Sequence, residues 1–142
     1  MVYRKHIQIH TSGHGDVHDL SDAVLRVVEQ SRIECGVAHL FVIGSTGAVG
    51  TMEFEPGLQA DLPDILDRLI PPGRHYQHEQ AWGDGNAHSH LQATLLGASL
   101  GVPVESGRLI LGTYQQIVFV ECDTRPRERT LVVTVVGETA RR

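Results

Sequence analysis

The chain has little lysine, little cysteine and no long apolar run. Lys5 is its only lysine, and 12 basic residues stand against 17 acidic ones for a formal net charge of −5. With no polybasic run, the composition argues against a nucleic-acid binder, whose affinity comes mostly from neutralising phosphates. Arginine, which supplies nearly all the positive charge, suits bidentate pairing with phosphate or carboxylate. Cysteine is limited to Cys35 and Cys122. Neither sits in a CxxC or C-x-x-C-H setting, so no disulfide framework is readable. Cys122 follows Ile117-Val118-Phe119-Val120 and reads as a small buried residue. No stretch is long enough to span a bilayer, and residues 1–6 hold no apolar signal core. A soluble, cytoplasmic protein with no membrane partner is expected. A HExxH helix, a GK[ST] phosphate loop and a DDxxD-like acidic cluster are also lacking, so the most specific metal and nucleotide signatures do not apply.

What is present fits one domain over residues 1–142, with 41% hydrophobic residues and no need of disulfide staples. Residues 3–10 alternate Tyr3, Lys5, Ile7 and Ile9 against Arg4, His6, Gln8 and His10, which is strand periodicity. Gly13 and Gly15 make a turn. A helix is expected from Asp19 or Ser21, with Leu20, Ala23, Val24, Val27 and Val28 on one face and Gly36 as the residue that ends it. Residues 37–43 and 48–54 read as strands around Gly44-Ser45-Thr46-Gly47. Leu58, Leu62, Ile65, Leu66 and Leu69 fall at helical spacing before Pro71-Pro72-Gly73. Pro63 inside that pattern predicts a kink, or a start only at Asp61. Residues 91–96 fit a helix or a strand. Strands over 100–104, 109–119 (broken at Gly112) and 131–136 close the chain. Grouped strands with two main helices favour an α+β fold with mainly antiparallel pairing.

Chemistry concentrates in residues 76–90, where His78, His88 and His90 share fifteen residues with Glu79, Asp84, Asn86 and the only tryptophan, Trp82. Imidazole suits proton transfer near neutral pH and is the commonest metal ligand. In extended backbone His88 and His90 point the same way. With His78 they form a candidate site for zinc or a similar divalent ion. The metal-free alternative is a general acid/base pair in which Glu79 or Glu53 orients His78. Glu53 and Glu55 together are a candidate for Mg²⁺ or for a shared proton. Ser45 and Thr46 sit in a Gly-flanked turn whose N–H groups and hydroxyls suit phosphate, although a plain turn has the same composition. Thr113 and Gln115 interrupt an apolar strand pair and, if extended, share a face. Arg125, Arg127 and Arg129 alternate around Pro126, as a phosphate fork or an exposed connector.

Several of these segments occur in the order of a known signature. Residues 99–107 run Ser-Leu-Gly-Val-Pro-Val-Glu-Ser-Gly, and residues 112–117 run Gly-Thr-Tyr-Gln-Gln-Ile. Together with Asn86-Ala87-His88-Ser89-His90-Leu91, Tyr76-x-His78 and Val135-Val136-Gly137-Glu138, the chain resembles the YjbQ-like family over nearly its whole length. Tyr114 stands where the family usually has tryptophan, and Gly44-Ser45-Thr46-Gly47 replaces a frequent His-Thr-Ser-Ala. The resemblance implies a β-sandwich-like α+β domain, a homotrimer and, in some members, a secondary thiamin-phosphate synthase activity. That reaction joins a pyrimidine-methyl diphosphate to a thiazole phosphate and releases diphosphate. On this reading His78, His90 and Glu53 are the catalytic candidates. Ser45, Thr46, Asn86, Thr113 and Gln115 would bind the phosphorylated small molecule. A metal-binding protein or metal-dependent hydrolase holding Zn or Mg through His78, His88 and His90 is the second expectation. A non-enzymatic trimeric module is the third.

Overall fold

The computed structural model describes residues 1–140. Two antiparallel sheets and a helical layer build it. The larger sheet has the order β1-β8-β3-β5-β6, from Val2–His10 (β1), Glu128–Thr139 (β8), Ile33–Ile43 (β3), Ser99–Glu105 (β5) and Arg108–Leu109 (β6). The smaller has the order β2-β7-β4, from Val17–Asp19 (β2), Gln116–Glu121 (β7) and Gly47–Met52 (β4). The α+β architecture with antiparallel sheets is therefore the one the strand grouping indicates.

Alternation decides which side of each strand is buried. On the larger sheet Ile33, Ala38, Leu40, Val42, Leu131, Val133 and Val135 turn inward and are at most 1% exposed. They meet helix α1 (Ser21–Ser31), through Val24, Val27 and Val28, and the inner residues Val49, Ile117 and Phe119 of the smaller sheet. The smaller sheet's other face, with Val17, Val118, Val120 and Cys122, packs beneath helix α2 (Pro56–Leu69) and helix α4 (Ala87–Leu96) through Leu66 and Ala93. Burial pushes the Cys122 thiol up to about 12, as suits an inert core residue. The larger sheet's outer face has no such cover. Val37, Phe41, Ile43 and Val136 on it are 45–49% exposed. No helix among the described residues is long and apolar enough to cross a membrane.

Several expectations are corrected by this arrangement. Helix α1 starts at Ser21, with Asp19 accepting the Ser21 N–H at 2.9 Å, but it ends at Arg32 in left-handed conformation (φ 59°) rather than at Gly36. Gly36 lies in β3 opposite Gly137, where a Cβ would stand 2.7 Å from the Gly137 Cα. It is a close-approach glycine, not a helix stop. Helix α2 begins at Pro56 because the Glu55 carboxylate accepts the Gly57 and Leu58 N–H groups. Pro63 lies within it, and the start at Asp61 is not observed. The break expected at Gly112 within residues 109–119 is present, as a turn at residues 112–115 that separates β6 from β7. Beyond the two helices expected, the chain forms α4 and a short helix α3 (Gln77–Ala81).

The two sheets are tied by a buried ion pair. Arg129 of β8 is 2% exposed and Glu121 of β7 is fully buried. Arg129 Nε donates to Glu121 Oε2 at 2.8 Å, and its Nη2 donates to Glu121 Oε1 and, at 2.8 Å, to Thr46 Oγ1. Thr11 Oγ1 donates to Glu121 Oε2 at 2.7 Å, and the Asp123 N–H donates to Glu121 Oε1 at 3.0 Å. Arg129 is thus neither an exposed connector nor part of a phosphate fork. Replacing Arg129 with Met leaves the Glu121 carboxylate buried without its partner. We expect Arg129→Met to lose roughly 3–5 kcal/mol in urea unfolding. Double replacement, Arg129→Met with Glu121→Leu, should recover much of that; an unchanged midpoint in the single variant would refute the tie.

Candidate functional site

The chain leaves α2 at Pro71-Pro72-Gly73, which cannot continue a helix, and turns toward α3. Tyr76 Oη donates to the Pro71 carbonyl at 2.6 Å, fixing the entry to α3. Helix α3 carries His78. The loop of residues 82–86 follows, with Gly83 and Gly85 at φ +67° and +75°, left-handed values that favour glycine. Helix α4 then carries His88 and His90. The His78 and His90 rings face one another with centroids 4.9 Å apart. They line a pocket of about 380 Å³ with Tyr76, Gln77, Ala87 and Leu91.

His78 Nε2 is held from the loop side. It lies 3.3 Å from Asp84 Oδ1. The Asn86 amide fits between them when its nitrogen donates to Asp84 Oδ1 at 2.8 Å and to His78 Nε2 at 3.1 Å. In that arrangement Nε2 is the acceptor and Nδ1 carries the proton. Because Asn86 spends its side chain this way, it does not cap α4. The first N–H groups of α4 therefore gain no side-chain acceptor from it, and a helix N-terminus in that state attracts anions.

His88 goes elsewhere. Residues 87–96 are helical, and residues two apart on a helix stand about 200° apart around its axis. The extended geometry that would aim His88 and His90 together does not occur. His88 is 3% exposed and packs edge-on against His14, ring centroids 5.2 Å apart. His14 is bonded at both nitrogens: Nδ1 with the Cys122 carbonyl at 2.9 Å and Nε2 with Asp67 Oδ1 at 2.7 Å. Gln92 Nε2 donates to the same Asp67 oxygen and to the Ile70 carbonyl, each at 2.9 Å. Among the described residues no three His, Cys, Asp or Glu side chains gather into a metal-holding group. The set His78, His88 and His90 thus does not fit a zinc or magnesium ion in this chain.

The remaining candidates are dispersed. Glu53 is exposed between β4 and α2 and pairs with no histidine among the described residues. The side chains that meet His78 Nε2 are Asp84 and Asn86 instead. Glu55 caps α2, so the two acids do not share an ion. Ser45 is exposed in its turn. Thr46 is buried, and its hydroxyl already donates to Asp123 Oδ2 at 3.0 Å while accepting from Arg129. Burial alone would raise the Asp123 pKa; the Thr124 N–H, the Thr46 hydroxyl and the two arginines outweigh it and hold it below the usual value. Thr113 and Gln115 occupy a turn rather than a strand face, and Gln115 closes it by accepting from Gly112 N–H at 3.0 Å and donating to Thr51. His14, Asp67 and Gln92 escape sequence reasoning altogether. His14 stands between two turn glycines, and only the three-layer packing brings it to α2 and α4.

The geometry defines a class first: a two-sheet α+β domain with a histidine pair seated between two helices beside its smaller sheet. The chain belongs to the family described as UPF0047 protein YjbQ-like, whose profile matches residues 5–138. It is 39% identical over 127 residues to a UPF0047 protein of Archaeoglobus fulgidus, covering 89% of this chain and 96% of that one. It is 38% identical over 137 residues to another of Methanothermobacter thermautotrophicus, covering 96% and 94%. Among solved structures it resembles a YbjQ-like protein of unknown function from Sulfolobus solfataricus, with a TM-score of 0.90, 37% identity and coverage of 97% and 99%. A hypothetical protein from Aeropyrum pernix follows at a TM-score of 0.87, 34% identity and coverage of 95% and 98%.

The interior histidine has a consequence for stability. Burial, and then the neighbouring His14, hold the His88 pKa below its ordinary value. The unfolded chain therefore binds a proton there more readily than the fold does. The His88 contribution to stability is complete above the unfolded value of ~6.5 and is lost as pH falls below it toward the folded value. We expect the urea midpoint to drop between neutral and mildly acid pH, and to drop less in His88→Gln. Parallel pH profiles for the two proteins would refute this.

Proposed function

We propose that the pocket between α3 and α4 binds a small phosphorylated metabolite and that His78 and His90 protonate or polarise its leaving group, with a thiamin-phosphate synthase-like reaction as the named chemistry. The observation that carries the reading is the facing His78–His90 pair, 4.9 Å between ring centroids, on the wall of a pocket of about 380 Å³. That volume falls in the range of small-molecule sites, ~300–1,000 Å³. The α4 N-terminus, which Asn86 does not cap, favours a phosphate. In the transfer the bond from the pyrimidine methyl carbon to the diphosphate oxygen breaks, and a bond from that carbon to the thiazole nitrogen forms. The electron pair leaves on the diphosphate. An imidazole N–H hydrogen-bonded to the departing oxygen stabilises that charge, where electrostatic assistance counts most. Asp84 and Asn86 take the orienting part assigned from sequence to Glu53.

The same reading includes a homotrimer. Its support is the uncovered outer face of the larger sheet, where Val37, Phe41, Ile43 and Val136 make an apolar patch that a lone protomer would leave in water. The net charge of −5 speaks against nucleic acid as a partner.

We expect His78→Ala and His90→Ala each to reduce turnover of pyrimidine-methyl diphosphate and thiazole phosphate by ~10²–10⁴-fold with unchanged circular dichroism. Equal turnover in both variants would remove the pair from the mechanism. Light scattering should return a trimer mass for the parent and a smaller one for Phe41→Asp. A monomeric parent would defeat the assembly.

A further inference from the structure

We propose that Glu79, seconded by Arg74, is the positioning residue of the histidine pair: it clamps the loop of residues 83–86 so that Asp84 orients the Asn86 amide and Asn86 holds His78 by one ring nitrogen. The proposal rests on the acid/base reading of His78.

Glu79 follows His78 directly in α3, yet its side chain is only 6% exposed. Its Oε2 accepts the Gly85 N–H at 2.9 Å. Its Oε1 is buried and has no hydrogen-bond partner among the described residues. Arg74, from the segment before α3, donates through Nη1 to the Gly83 carbonyl and lies 3.6 Å from Glu79 Oε2. Its guanidinium also covers Gly85, where a Cβ would stand 3.1 Å from Nη2. The two glycines on either side of Asp84 are thus held by one acid and one base. Both lie in left-handed backbone, a conformation that leaves a free loop many alternatives. Between them Asp84 accepts from the Asn86 amide, and the same amide donates to His78 Nε2.

The consequence is a choice of tautomer. A neutral imidazole carries its proton on one nitrogen, and the hydrogen bond at the other decides which. Asn86 donating to Nε2 leaves the proton on Nδ1, which has no hydrogen-bond partner among the described residues. If the loop drifts, that preference disappears and both tautomers are populated. Glu79 reaches no reacting atom; it acts through the loop.

Nitrogen-15 spectra of the imidazoles at alkaline pH test this, because protonated and bare ring nitrogens resonate apart. In the parent we expect His78 to show a single tautomer, protonated at Nδ1. In Glu79→Ala it should move toward a mixture, with a weaker near-ultraviolet circular dichroism band from Trp82, the only tryptophan, which sits on the same loop. Glu79→Gln keeps an acceptor for the Gly85 N–H and should restore the parent pattern. His18, bonded to Asp16 at 2.7 Å, is the control: it should not change. An unaltered His78 spectrum in Glu79→Ala overturns the proposal. If that variant fails to fold, Arg74→Ala, whose side chain is 68% exposed, must shift His78 in the same direction, and no shift overturns the proposal equally. The spectra need no substrate, so failure to find turnover would sink the acid/base function while leaving this test to be decided separately.

Discussion

Two sheets that share an apolar core could slide over one another; the Arg129–Glu121 pair prevents it. Hydrophobic contact is non-directional, whereas a guanidinium fork meeting a carboxylate accepts one geometry. Arg129 comes from the larger sheet and Glu121 from the smaller one. Thr11 and Thr46 contribute hydroxyls from the segments that leave β1 and β3. Each of the four groups is at most 4% exposed. Isolated, such charges would be costly to bury; bonded on several sides, they specify how the layers register.

The site inherits that register. β7 continues from Glu121 into Cys122 and Asp123, and the Cys122 carbonyl is what His14 Nδ1 meets. His14 reaches Asp67 of α2, and Gln92 of α4 reaches the same carboxylate. One chain of polar contacts therefore runs from the sheet through both helices of the outer layer. Helix α4 is set in azimuth by it: His88 is turned to the interior, and His90, two residues on, is turned toward α3. The placement of His90 opposite His78 follows from how the interior of α4 is satisfied.

Much of the architecture was legible in the chain because it rests on short-range pattern. The alternation from Tyr3 to His10 announced β1, and the Leu-Ile spacing of residues 58–69 announced α2. Where a residue has two physical uses, pattern alone chose wrongly. Gly36 has the composition of a helix stop, but its lack of a Cβ serves the close approach to Gly137 across two strands. Within α4 Ala93 packs inward while Leu91 and Leu95 stay outside, so residues 91–96 fit a helix or a strand equally well by pattern. The short strand β2 and helix α3 offered no run long enough to read. His14, Asp67 and Gln92 are far apart in sequence and meet only through the layer packing.

The backbone state of residues 87–96 governs the chemistry. As a strand the segment would place His88 beside His90 and make a three-imidazole set, the donor arrangement of an open zinc site. As a helix it divides the imidazoles between two environments. His88 is buried, has its pKa lowered by that burial, and packs against His14. His90 is partly open and faces His78. A metal needs converging ligands, whereas acid/base chemistry needs only that the exchanging groups be close, oriented and reachable. The helical backbone meets the second requirement and not the first, which is why the proposed role of His78 and His90 is acid/base and not metal-binding.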